Sequence, residues 1–148
     1  MRIRQIGWVT LLAVLVLTVP ACREPAAEEE AGTSDLATVE PVEGSDVAKV
    51  TLIPEAAERI DVQTTAVAAA SGGRARMTIP YAAVLYDPAG DTWTYTSPET
   101  LVFVRAPIEV VRIDGDRAIL SDGPAPGTEV VTVGAAELLG TEYEVGEE

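Results

Sequence analysis

The ionisable side chains of this chain restrict its chemistry before any fold is considered. The sequence contains one cysteine and no histidine. Without histidine there is no Ser–His or Cys–His pair, and no imidazole to act as a metal ligand or general base. A single cysteine also rules out an internal disulfide and a zinc site built from several cysteines. We therefore predict that the protein is not an enzyme and that it uses no metal or cofactor.

The remaining candidates for chemistry are carboxylates in two short acidic motifs. Asp87–Asp91 (DPAGD) and Asp114–Asp116 (DGD) look superficially like calcium loops, but neither has the D-x-[DN]-x-[DN]-G pattern with a later glutamate. Aspartate is common in turns because its side chain accepts hydrogen bonds from nearby backbone N–H groups. We interpret both motifs as turns. Paired acids for glycoside hydrolysis are an alternative, but nothing in the spacing singles out a pair.

The one cysteine stands at the end of an apolar N-terminal run. Two arginines open the chain, and an uncharged, mostly apolar stretch extends from Ile6 to Val19. A positive start followed by about 7–15 apolar residues is the plan of a secretory signal peptide. A transmembrane helix needs about 20 apolar residues, which this run does not supply. We predict a signal peptide over residues 1–21.

The residues at the predicted cleavage point add a second signal. Val19-Pro20-Ala21-Cys22 resembles the bacterial lipobox, in which the signal is cut just before a cysteine that carries a lipid. Pro20 is a less usual residue in that motif, and an ordinary signal with an incidental cysteine is the alternative. The resemblance implies that Cys22 carries more than one acyl chain, as stable anchoring requires. The expected protein is exported and held by its lipid at the periplasmic or extracytoplasmic face of a membrane.

Acidic residues dominate the segment after the cysteine. The net charge is −14, and residues 23–48 carry eight acids and one arginine, with no aromatic residue. Such a composition cannot bury enough apolar area to offset its ordering entropy, so we predict a flexible tether over residues 22–46. A helix through Glu24–Ala31 is the alternative. A chain this acidic lacks the clustered Lys and Arg side chains that nucleic-acid binding requires, so we expect no nucleic-acid partner.

The residue pattern of segment 47–148 is typical of a small β-rich domain, which we call the head. Short β-prone runs alternate with Gly/Pro turns, and the motif at residues 87–91 separates two such runs as a hairpin turn does. We predict a mainly all-β roll or barrel of about 8–10 short strands. One or two helical turns are expected, at Pro54–Ile60 and Ala135–Leu139, and a last strand at Thr141–Val145. Trp93 and Tyr95 alternate with threonines and share one face, either as core or as a possible partner surface.

Several segments of the head resemble one protein family, the membrane-fusion proteins. These are the periplasmic adaptor subunits of RND-type efflux pumps. Val50–Leu52 with Ala56–Thr64 is similar to the opening strand of the mature adaptor. The segments similar to its C-terminal part, in family order, are Ile79–Asp87, Gly90 with Thr92–Tyr95, Phe103–Ile108, Ile113–Arg117, Leu120–Pro124, Pro126–Leu138 and Gly140–Tyr143.

The resemblance implies both a fold and a partner. In that family the two chain ends meet in a membrane-proximal β-roll beside the pump. A typical adaptor is much longer and inserts a lipoyl-like domain, a long helical hairpin and a barrel, whereas here only Ala66–Met77 separates the two matching parts. The expected function is therefore that of a truncated adaptor-like module docking on the extracytoplasmic part of an inner-membrane transporter. A free-standing envelope or solute-binding lipoprotein, or the remnant of a longer adaptor, are the alternatives.

Overall fold

The computed structural model describes residues 32–33, 36–70 and 76–145. The predicted signal peptide, Cys22 and most of the predicted tether lie outside the described residues. Antiparallel strands and two helices account for most of the part that is described, so the mainly β fold class is confirmed.

Twelve short strands and two helices follow one another in the described residues. The strands are β1 (Gly32–Thr33), β2 (Ala37–Pro41), β3 (Ala48–Leu52), β4 (Gln63–Ala66), β5 (Ala68–Ala70), β6 (Arg76–Pro80), β7 (Leu85–Tyr86), β8 (Thr92–Glu99), β9 (Val102–Pro107), β10 (Glu109–Asp114), β11 (Arg117–Asp122) and β12 (Glu129–Val133). The helices are α1 (Pro54–Arg59) and α2 (Ala135–Val145), and a 3-10 turn covers Tyr81–Ala83. Ten of these strands, β3–β12, lie within the predicted head at residues 47–148, and β1 and β2 precede it.

The strands form two antiparallel sheets. The larger sheet has the order β1-β2-β3-β9-β8-β12-β4, with β7 also paired to β8, and the smaller has the order β10-β11-β6-β5. One extended segment, Gln63–Ala70, belongs to both: β4 pairs with β12, and β5 pairs with β6. Between them, Val67 donates its N–H to the Thr128 carbonyl and accepts from the Gly127 N–H, each at 2.8 Å. The two sheets are therefore joined through a continuous backbone.

Strand β12 separates two apolar cores. Val130 and Val131 are both fully buried, and because successive side chains of a strand point to opposite faces, they enter different cores. The first core lies between the larger sheet and the helices, with Val50, Tyr95, Phe103 and Leu138 among its members. The second contains Val67, Ile79, Ile108, Ala118 and Leu120.

Strand β2 corrects the predicted boundary of the tether. Residues 37–41 pair with β3 in the larger sheet, with Val39 opposite Val50, and Ala37 and Val39 are buried in the first core. The prediction of a flexible tether up to residue 46 is therefore wrong from residue 37 onward. Alternate apolar residues are enough to seat a strand against an existing sheet, even within an acidic stretch.

Helix α2 corrects the predicted end of the head. Thr141–Val145 is the last part of this helix and not a strand, and the helix runs through Gly140. Glycine in a helix costs about 1 kcal/mol relative to alanine. That cost is offset because Leu138 and Glu142, four residues apart on one helix face, are both buried against the sheet. The prediction of a helical segment at Pro54–Ile60 is confirmed by α1.

Candidate binding surface

A buried ion pair joins helix α2 to the larger sheet. Arg105 on β9 and Glu142 on α2 are 7% and 6% exposed, and the Arg105 Nε lies 2.9 Å from Glu142 Oε2. The other carboxylate oxygen accepts hydrogen bonds from Arg105 Nε at 3.0 Å and from the Ala48 backbone N–H at 3.1 Å. The Tyr95 hydroxyl donates to Oε2. One carboxylate therefore ties β3, β8 and β9 to the helix.

Two aromatic rings enclose the guanidinium of this pair. Its carbon lies 4.7 Å from the Trp93 ring centroid and 5.5 Å from that of Tyr143, both within cation–π range. Burial by itself lowers the pKa of Arg105, but the hydrogen bond and the negative charge of Glu142 outweigh it and raise that pKa. The arginine stays charged, and its contacts are internal. We call these five residues (Trp93, Tyr95, Arg105, Glu142 and Tyr143) the clamp.

The clamp decides where the two aromatics singled out from the sequence lie. Tyr95 is fully buried, and burial followed by its bond to Glu142 raises the pKa of its hydroxyl far above the ordinary value. The hypothesis that Tyr95 forms a partner surface is therefore wrong, since the residue is core. Trp93 is half-buried, and its indole N–H donates to Asp87 Oδ2 at 3.1 Å. Its part in a partner surface stays a prediction.

Both acidic motifs form turns, as predicted. Asp87 Oδ1 accepts the Asp91 N–H at 2.9 Å, and the backbone N–H of Asp87 donates to the Asp91 carbonyl at 3.1 Å. Desolvation raises the pKa of Asp87, but the hydrogen bonds to its carboxylate outweigh this effect and hold that pKa below its usual value. In the other motif, Gly115 has a φ of +61°, the left-handed conformation of a tight turn. No group of three or more metal-ligating side chains occurs among the described residues.

Two exposed tyrosines lie between these turns. Tyr81 and Tyr86 are 45% and 54% exposed, and the electrostatic effect of the nearby Tyr81, ahead of desolvation, raises the pKa of the Tyr86 hydroxyl. The backbone N–H of Tyr81 donates to the Asp116 carbonyl at 2.7 Å, while Tyr86 directly precedes Asp87. Each tyrosine is therefore held next to one acidic turn. We call Tyr81 and Tyr86 the tyrosine pair.

An open groove of about 600 Å³ lies next to the tyrosine pair. Tyr86 pairs with Thr92 across β7 and β8, and Thr92 lines the groove, where its hydroxyl donates to the Ile108 carbonyl at 2.6 Å. Pro107, Ile108 and Val110 supply apolar lining, Trp93 and Ser121 complete the wall, and Asp91 and Glu109 supply carboxylates. Tyr86, opposite one of the lining residues, therefore borders the groove at the start of β8.

Sequence reasoning missed the two residue pairs that matter most here. A sequence signal existed for Arg105: in β9 it alternates with Phe103, so a strand pattern places both side chains on the core face. An arginine in that position needs a buried anion. Glu142 gave no such signal, because its burial depends on a helix that was predicted as a strand. The exposure of Tyr81 and Tyr86 depends on the 3-10 turn and the two-residue strand β7, which carry no sequence pattern of their own.

Comparison of the chain with protein-family models, with curated proteins and with solved structures gives no match. The similarity to membrane-fusion proteins therefore stays a prediction that depends on the segments quoted above. In the described residues, no helix has the length and apolar content needed to cross a bilayer.

Proposed function

We propose that this protein is an exported lipoprotein, anchored through Cys22, whose head is a binding module of the membrane-proximal β-roll type. It docks on the extracytoplasmic part of an inner-membrane transporter and acts by contact, without catalysis. The observation that carries this proposal is the tyrosine pair, which is exposed, with Tyr86 on the larger sheet beside an open groove.

The tyrosine pair has the properties of an interface anchor. Tyrosine is enriched among the residues that dominate binding energy in protein interfaces. Both residues belong to short, hydrogen-bonded elements, so little backbone freedom would be lost when a partner covers them. The clamp supports a role in contact rather than catalysis, since its charged groups are already paired with one another.

The start of the head also limits how far from the membrane the head can lie. Nine residues separate Cys22 from Gly32, where β1 begins. Because an extended chain spans at most about 3.6 Å per residue, this connection reaches no more than about 36 Å from the lipid. The expected partner surface is therefore close to the membrane, which agrees with a membrane-proximal module.

The test is recovery of a transporter with the full-length tagged protein after crosslinking in intact cells. We expect the double variant Tyr81→Ser/Tyr86→Ser to lose that partner. The matched control is Val111→Ser/Ile113→Ser, which removes two other apolar side chains, 46% and 43% exposed, from β10. Cys22→Ser should release the protein from the membrane. Recovery of no membrane partner, or equal loss in both double variants, would contradict the proposal.

The groove also favours a second candidate, a solute-binding lipoprotein that reuses the β-roll. The groove has a volume of about 600 Å³ and combines apolar residues (Pro107, Ile108 and Val110) with polar ones, so it could hold a small polar solute. This function requires a solute that raises the melting temperature without any protein partner. The rise should disappear when Val110→Trp fills the groove.

A further inference from the structure

We propose that the groove beside the tyrosine pair receives an arginine or lysine side chain from an extended segment of the partner protein. This inference rests on the proposed docking function and names the chemistry that the partner must present. It gives the groove a binding role of its own, separate from that of the tyrosine pair.

The lining of the groove fits the two parts of a long basic side chain. Pro107, Ile108 and Val110 offer an apolar surface for the aliphatic stem, and Asp91 and Glu109 offer anionic groups for the charged end. Arginine and lysine commonly bury their stems along apolar surface while the charge meets water or an anion. None of the described residues that line the groove is basic, so the cation has to come from outside.

The carboxylates of the groove are not neutralised from within the head. Glu109 accepts one hydrogen bond, from the Ser121 hydroxyl at 3.0 Å, and this bond orients the carboxylate without cancelling its charge. Among the described residues, no ion pair involves Asp91 or Glu109. The cation stacked on Trp93, Arg105, is already paired with Glu142. The groove therefore keeps its negative charge on a chain whose net charge is −14.

The tyrosine pair extends the same recognition to neighbouring partner residues. Because Tyr86 lies across from Thr92, which lines the groove, a partner segment that places a cation in the groove can also contact Tyr86. Tyrosine rings accept both apolar side chains and cations on their faces. The negative field of the head would also steer a basic segment toward this surface before contact.

A pair of matched peptides tests the inference on the full-length protein in detergent. One twelve-residue peptide carries three arginines separated by serine and leucine, and the second carries citrulline, a neutral isostere, at the same positions. Isotope-labelled protein is titrated with each peptide, and amide shift changes are followed by nuclear magnetic resonance. We expect changes at residues 91–93 and 108–110 with the arginine peptide, and much smaller changes with the citrulline peptide.

Two double variants with equal charge change provide the control. Asp91→Asn/Glu109→Gln should weaken binding of the arginine peptide by about three- to tenfold, as expected for the loss of two exposed ion pairs. Glu43→Gln/Glu129→Gln removes two exposed acids outside the groove and should leave the affinity almost unchanged. Equal weakening in both variants, equal binding of both peptides, or shift changes away from the groove would overturn the inference.

The outcome can be separated from that of the docking proposal. If a transporter is still recovered with Asp91→Asn/Glu109→Gln but not with Tyr81→Ser/Tyr86→Ser, docking stands and the cation site is wrong. If the arginine peptide binds as expected but no transporter is recovered with any form, the groove chemistry stands and the proposed partner is wrong.

Discussion

The clamp and the exposed surface are built from the same kinds of groups. Each combines aromatic rings with carboxylates, and both kinds of group attract a cation. In the clamp, the cation is Arg105, which the chain itself supplies, and Arg105, Glu142 and Tyr95 are buried. At the groove, the described lining residues supply none, and the rings of the tyrosine pair are open to solvent. Where the chain supplies the cation, these groups stabilise the fold. Where it does not, they are available to bind a cation from a partner.

Removing one member of the buried ion pair should give the largest effect on stability. Glu142→Gln leaves the Arg105 charge without its anion, and breaking a buried pair in this way typically costs about 3–5 kcal/mol. The measurement is the urea midpoint of the full-length protein. Arg105→Met/Glu142→Leu removes both charges and should be less destabilising, with a remaining loss from the Tyr95 hydroxyl and the Ala48 N–H, which lose their acceptor. If the single and double variants were equally destabilised, the loss would reflect packing and not the unpaired charge.

The hydroxyl of Tyr95 should give the next largest effect. Tyr95→Phe removes one hydrogen bond to a charged group, which is typically worth about 1.5–3 kcal/mol. Because the pKa of Tyr95 is raised in the folded protein, its stabilisation is fully present below the unfolded pKa of about 10 and is lost as pH rises above it. The wild type should therefore lose stability more steeply than Tyr95→Phe above pH 10. Parallel profiles would show that the hydroxyl titrates normally.

The turn that joins β7 to β8 should show the opposite pH dependence. The pKa of Asp87 is lowered in the folded protein, so its contribution is present above the unfolded pKa of about 3.9 and is lost as pH falls below it. Denaturant midpoints measured down to pH 2 should fall more steeply for the wild type than for Asp87→Asn. Equal slopes for the wild type and Asp87→Asn would show that this carboxylate makes no such contribution.

The tyrosine pair should have the smallest effect on the fold. Tyr81→Ser/Tyr86→Ser removes two exposed rings, and such surface changes usually alter stability by less than about 0.5 kcal/mol each. A normal thermal unfolding curve together with loss of partner recovery would show that the tyrosine pair, unlike the clamp, serves binding and not stability. A large drop in melting temperature would instead show that these rings belong to the packing of the head.

Local signals in the sequence predicted much of the head and failed at two points. The turn at Asp87–Asp91 was predictable because Asp, Pro and Gly each favour turns for local reasons, and α1 was predictable from Pro54 at its first position. The strand at residues 37–41 was missed, since acidic composition outweighed a short alternation of Ala37 and Val39. Helix α2 was cut short at Gly140 because the glycine penalty is local while the compensating contacts of Glu142 are distant.

The sequence by itself determined the mainly β class, the turn chemistry, the acidic charge and the short supply of catalytic groups, because each of these depends on residue type or on neighbours in the chain. Only the tertiary structure decided that Tyr95 is core, that Arg105 meets Glu142, and that Tyr81 and Tyr86 lie exposed beside a groove. Those outcomes depend on which strands pair and which helix face packs, and residues as distant as Ala48 and Glu142 take part in them. Contacts of such separation are set by the burial of the whole core and not by any local preference.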